Sequence, residues 1–255
     1  ILTGLNKAFV IDQKTRDRLV AADPASDEII KPFLRGRDIK RWRCEWAERY
    51  LIDIQNSGDR DSANAWKNEK TEAVARKVFE ATFPAVHSYL TEFEEALRKR
   101  TDQGRFWWEL RACAYHAEFE KPKIVYPNIF KRATFAFDES SLLSNQKTFI
   151  IPTADLSLLA LLNSKLIHYW CVHSLPMLQN GYFEPSAIYF GNCPIAIGTK
   201  KERNLLAKYS ESLLSESGNE YGTHEKKIDE IVYKIYDLSK SEIDELKASY
   251  DKKLT

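Results

Sequence analysis

Arg35, Arg37, Lys40, Arg41 and Arg43 crowd into nine consecutive positions around Gly36 and beside Trp42 and Trp46. From Lys31 to Arg49 there are seven basic residues and three acidic ones, a local excess of +4 in a chain of net charge +1. Concentrated positive charge calls for an anionic counterpart. Phosphate is the commonest, because Lys and Arg displace condensed counterions from a nucleic-acid backbone. The competing readings are a solvated turn with incidental arginines and a structural turn with Arg37 or Asp38 in an internal ion pair.

Other reactive residue types are present without the spacing that chemistry needs. The sequence has no GxGxxG, Walker A loop or HExxH, and no GxSxG nucleophile elbow. It has no Gly-rich loop for adenosylmethionine and no Asn-Pro-Pro-aromatic motif for an exocyclic amine. Glu225-Lys226-Lys227 has the Glu-x-Lys spacing of many nucleases, but it falls on an amphipathic helix with no strand-borne Asp before it, so a solvated face is favoured. His168, Cys171 and His173 lack further ligands for a tetrahedral metal site, so core packing is favoured and no metal is expected. Phe106, Trp107 and Trp108 could stack on bases, although such clusters more often fill a core.

These residues must be positioned by a chain of 255 residues, 44% hydrophobic and 29% charged, with 31 aromatic residues. That suits one large domain or two small ones. No apolar run of membrane-spanning length occurs, so no membrane is expected. Cys44, Cys113, Cys171 and Cys193 are too scattered for a zinc ribbon or redox pair, as in a reduced, cytoplasmic protein. Ile1 opens the chain without Met or a signal peptide, which points to a piece of a longer polypeptide.

Strands are predicted at 49–54, 123–126, 134–137, 148–151, 182–183 and 188–190, and helices at 15–22 and over most of 62–101. One helix is predicted from Asp155 to about His173. From Lys200 the chain turns aromatic-poor and helical, with eleven basic and twelve acidic residues and a loop at 217–222 between two helices. The expected fold is α+β over 1–199, followed by a helical tail over 200–255 that packs on the domain or on a partner.

Five segments in order carry a resemblance. They are Ile29–Trp42 (IIKPFLRGRDIKRW), Phe83–Gly104 (opening FPAVHSYL, closing RTDQG), Trp108–Pro127 (WELR to FEKPKIVYP), Leu158–Lys165 (LLALLNSK) and Gly181–Ile195 (GYFE to CPI). Together they resemble the TaqI-like specificity domain, the target-recognition region of adenine-specific DNA methyltransferases and Type IIG restriction–modification enzymes. Two positions depart from the family pattern: Phe83 where Tyr is common, and Asn180 where a second glycine is common.

The resemblance implies a division of labour. An upstream methyltransferase domain would bind S-adenosylmethionine and methylate a flipped adenine, with Mg needed if a nuclease is attached. This chain would need no cofactor, carry no catalytic residue and choose the sequence of double-stranded DNA. Arg35, Arg37, Lys40, Arg41 and Arg43 would then contact the DNA backbone. Base reading falls to loop residues that leave strands: Asn128, Lys131, Arg132, Lys147, Gln179, Asn180 and Tyr182. A protein-interaction module built on the tail, or a nuclease with an unrecognised site, are the competing classes.

Overall fold

A computed structural model describes residues 1–59, 62–215 and 221–252. Its elements, in chain order, begin with α1 (Asn6–Phe9), β1 (Val10–Asp12), α2 (Gln13–Ala22), β2 (Ile30–Leu34), β3 (Trp42–Arg43) and β4 (Arg49–Ile52). Next come α3 (Glu72–Thr82), α4 (Pro84–Thr91), α5 (Glu94–Arg98), β5 (Lys123–Pro127), β6 (Ala136–Asp138), β7 (Leu143–Ser144) and β8 (Thr148–Pro152). The last are α6 (Leu156–Leu162), α7 (Lys165–Ser174), α8 (Ala187–Phe190), α9 (Lys200–Ser215), α10 (Tyr221–Ile235) and α11 (Lys240–Lys252). The fold is α+β. No helix among the described residues is long and apolar enough to cross a membrane.

The chain forms two units, each assembled from three stretches. The first comprises Ile1–Leu34, Trp46–Glu120 and Ser141–Gln146, and the second Arg35–Glu45, Lys121–Ser140 and Lys147–Thr255. The boundary expected at residue 199 falls inside the second unit.

In the first unit β1-β4-β2-β7 form a sheet, antiparallel except for the parallel β2/β7 pair. Its core is ring-rich. Trp108 stacks on Phe79 at 5.4 Å and on Phe106 at 4.8 Å, so the Phe106–Trp108 cluster fills a core. The Trp66 indole donates to Glu109 Oε1 at 2.7 Å. Burial pushes the Arg100 guanidinium down to about 10, and it donates to the carbonyls of Trp107 (2.7 Å) and Glu109 (2.9 Å). Of the two helices predicted across 62–101 with a break at Pro84, the first starts only at Glu72. Before it, the carbonyls of Lys67 and Glu69 accept from the Arg105 guanidinium, which draws them away from helical bonding.

In the second unit β3-β6-β5-β8 form a sheet with β3/β6 parallel and the other pairs antiparallel. Lys123 and Asp138 face each other in register, with Nζ and Oδ2 2.6 Å apart and both side chains buried. Trp42, Tyr126, Phe135, Leu159, Phe190 and Val232 belong to one apolar core. The single helix predicted over 155–173 is two helices. Asn163 leaves the helical path to exchange two hydrogen bonds with the backbone of Phe135, at 3.1 and 2.9 Å, and Ser164 caps α7 through the Ile167 N–H.

The strand predicted at 188–190 is the short helix α8, and of 182–183 only Phe183 is bridged, in isolated bridges to Phe130 and Met177. Among the described residues the tail carries three helices where two were predicted. Ser239 and Glu242 exchange capping bonds at the start of α11, and Thr199 and Glu202 do so at α9. Both are S/T-x-x-E capping boxes legible in the sequence. Residues 217–220 of the predicted tail loop lie outside the described residues.

Candidate functional site

The basic segment is a built turn. Arg35 donates to the buried Asp38 carboxylate from its backbone N–H (2.9 Å), Nε (2.9 Å) and a terminal nitrogen (3.0 Å). Arg35 is therefore tied into the turn. Gly36 follows because a Cβ there would lie 2.9 Å from the Lys147 carbonyl oxygen. That oxygen also accepts from the Asn128 N–H at 2.9 Å, which sets the turn against the adjoining ends of β5 and β8. Gly36→Ala should cost about 1–3 kcal/mol by overpacking. An unchanged urea midpoint in the variant would show that the turn yields freely.

Trp42 has φ 79°, a left-handed conformation that strains a bulky residue. It is fully buried. Its N–H donates to Phe135 O at 2.8 Å, and its indole donates to Glu225 Oε1 at 2.8 Å. Arg41 turns inward with it. The guanidinium packs over the Trp42 ring at 5.3 Å and its Nε donates to Glu225 Oε1 at 2.6 Å. Arg132 lies 3.5 Å from Glu225 Oε2 and over the Tyr250 ring at 5.0 Å. Two expected DNA contacts, Arg41 and Arg132, thus share the Glu225 carboxylate, Arg41 mostly buried and Arg132 about a third exposed (14% and 32%).

Glu225 corrects the expectation of a solvated helix face. Burial alone would push its carboxyl up, but Arg41, Trp42 and Arg132 outweigh burial and hold it below the usual carboxylate range. The signal was present in the sequence: Glu225 shares the helical stripe of Ile228 and Val232. One turn along α10, Asp229 accepts from the Lys165 N–H at 2.9 Å. Burial dominates there and raises its carboxyl from 3.8 to about 6.

The fold therefore favours protonated Asp229. That stabilisation is full below about pH 4 and is lost as the pH rises through about 6, a change of roughly 3 kcal/mol. Asp229→Asn should flatten the pH dependence of urea stability across that window. Equal slopes in the two proteins would refute this.

Arg37, Lys40 and Arg43 remain exposed. Lys40 Nζ donates to the Arg37 carbonyl at 2.9 Å, while the Arg37 and Arg43 side chains make no ion pair among the described residues.

The loop beyond β5 joins a second loop in a short ribbon. Phe130 and Phe183 exchange two backbone hydrogen bonds, at 3.1 and 2.8 Å, and Met177 bridges the other side of Phe183. The Leu178 N–H donates to Tyr182 O at 2.7 Å, closing a hairpin over Gln179, Asn180 and Gly181. Asn180 and Gly181 have φ 61° and 72°, so the departure from the Gly-Gly pattern keeps a residue that tolerates the left-handed region. Lys131 Nζ lies over the Tyr182 ring at 5.2 Å.

The structure thus brings Asn128, Lys131, Gln179, Asn180 and Tyr182 onto one ribbon, with Lys147 at its base beside Gly36. Gln179, Asn180, Lys131 and Lys147 are exposed, and Asn128 and Tyr182 half-buried.

Elsewhere, His168 is buried in the core, where its Nδ1 accepts from the Ala133 N–H at 3.3 Å, and Cys171 is buried near it. In the first unit His116 pairs with Asp53 at 3.0 Å, a pairing the sequence did not signal. No group of three or more His, Cys, Asp or Glu among the described residues could hold a metal.

A search of curated proteins finds no match. A search of solved structures finds similarity to one described as the Type IIL restriction-modification enzyme MmeI in complex with DNA. The TM-score is 0.69 at 14% identity, over 99% of this chain and 35% of that one. This likeness establishes a shared fold, and the chain spans about a third of that protein's length. The family model for the TaqI-like C-terminal specificity domain matches residues 31–195, well over half of the chain. The turn at Gly36, the Asn163 break and the ribbon all fall within that match, and the chain belongs to the TaqI-like C-terminal specificity domain family.

Proposed function

We propose that this chain reads a short sequence in double-stranded DNA, as the specificity domain of an adenine-specific methyltransferase in a cytoplasmic restriction–modification system. Adenosylmethionine, the methyl transfer and any Mg-dependent cleavage then belong to domains outside this chain. The observation that carries the reading is the ribbon. It presents amide, cationic and phenolic side chains from two distant loops, suited to hydrogen bonding with base edges. Exposed Arg37 adjoins the glycine packed on the ribbon's base and suits backbone contact, which positions without specifying.

The test is a salt series of binding to a random duplex pool, with sequencing of the bound fraction. One enriched short motif, with affinity falling steeply as salt rises, is the expected result. No binding at about 50 mM salt would sink the proposal. Methyl transfer to DNA by the chain alone would sink the division of labour. The interaction-module reading is weaker, because Leu206, Leu213, Ile228 and Val232 of the tail helices lie in the second unit's own core.

A further inference from the structure

Two neighbouring residues of the hairpin, with Ile129 on the facing loop, have apolar side chains unsuited to hydrogen-bond readout. Met177 is 70% exposed and Leu178 41% exposed, side by side next to the hairpin tip. A lone exposed apolar residue on a surface needs no explanation. These two are held out by a stiff frame. Leu178 is bonded to Tyr182, Met177 is bridged to Phe183, and the Glu184 N–H donates to Pro176 O at 3.1 Å. The left-handed pair Asn180-Gly181 fixes the turn itself. Phe183 is buried and doubly bonded to Phe130, so the ribbon is anchored in the core of its unit. In this arrangement the two apolar side chains stand exposed beside the tip.

The surroundings indicate what would cover them. Pro176–Phe183 contains no charged residue, and the amides of Gln179 and Asn180 follow directly on Leu178. The charges nearest the hairpin are Lys131, held over Tyr182, and Glu184, at the end of the hairpin away from its tip. An apolar point flanked by amides and a cation matches the inside of a base stack edged by phosphate.

We infer that Met177 and Leu178 enter the duplex between adjacent base pairs as a wedge, partly unstacking them. The inference rests on the DNA-recognition reading above. Proteins that insert Leu or Met between base steps offset the loss of stacking with the extra surface that the distorted duplex contacts. Here the distortion would also bring the amides at the tip to the edges of the opened step, where base contacts discriminate. Met177 and Leu178 would then be positioning residues for readout by Gln179 and Asn180.

Unstacking unwinds the duplex, so the test needs no knowledge of the target. A circular plasmid is relaxed with topoisomerase I in the presence of the purified chain, and the shift in linking number is compared with binding measured in parallel. The unaltered chain should lower the linking number in proportion to occupancy. Met177→Ser/Leu178→Ser should bind with the same salt dependence and lose most of that shift, while Met177→Leu keeps it. Ile188→Ser, which changes an apolar residue 82% exposed but outside the ribbon, serves as the control and should keep it. Far-UV circular dichroism confirms that each variant is folded. Binding without any shift by the unaltered chain would overturn the wedge alone, as would an equal shift from the double variant. No binding by the unaltered chain would overturn the DNA reading and the wedge with it.

Discussion

Replacing Arg37, Lys40 and Arg43 together by Ala should weaken duplex binding roughly tenfold to a hundredfold at low salt. The plot of log affinity against log salt should become shallower by about 2–3, close to 0.9 for each phosphate left without its cation. The three side chains are exposed, so the urea midpoint should hardly move. Arg35→Ala and Arg41→Ala should do the reverse. Arg35 is bonded three times to Asp38, and Arg41 is bonded to Glu225. Losing either should lower stability and leave the salt slope nearly intact. An unchanged slope in the triple variant would remove Arg37, Lys40 and Arg43 from the interface, and a reduced slope in Arg41→Ala would return Arg41 to it.

Glu225→Ala should destabilise the fold by about 3–5 kcal/mol, the cost of leaving partly buried cations without their counter-ion. Arg41 and Arg132 would both lose their shared carboxylate, and the Trp42 indole would lose its acceptor. Because Trp42 is already held at φ 79°, removing that acceptor also loosens the segment that carries the exposed cations. Glu225→Gln should cost less, since an amide oxygen still accepts from the indole. Arg41→Met combined with Glu225→Leu should cost less than the sum of the single changes, because only the partly exposed Arg132 is then left without the carboxylate. Urea unfolding followed by circular dichroism measures all of these. A loss below about 1 kcal/mol for Glu225→Ala would show that water solvates the cations.

Much of the frame was legible because local physics decided it. Lys123–Pro127 is a β-branched and aromatic run closed by proline, and it forms the central strand β5. Pro84 breaks the helical stripe and opens α4 as its first residue. The Asn163 break was hidden, because the leucine stripe reads as apolar on both sides of it. What parts the helices is a bond to Phe135, 28 residues away. Ile188-Tyr189-Phe190 looks strand-like by residue type, yet α8 is helical with Phe190 in the core.

The site was half legible for the same reason. Charge counting found the basic turn but could not separate Arg37 from Arg41. That distinction depends on Glu225, 184 residues further along. The two loops that form the ribbon are some 50 residues apart, and it takes the Phe130–Phe183 pairing and the Lys131–Tyr182 contact to bring them together.

Each unit draws on three stretches, so the polypeptide passes from one to the other five times. In genetic terms, no single crossover between related genes can transplant either unit whole. A recombinant would join half of one core to half of another. The segments 128–135 and 176–184 each begin and end inside the second unit. If those two windows carry the readout proposed above, new preferences should spread through a lineage as short exchanges within them, made in pairs so that the partners across Phe130 and Phe183 still match.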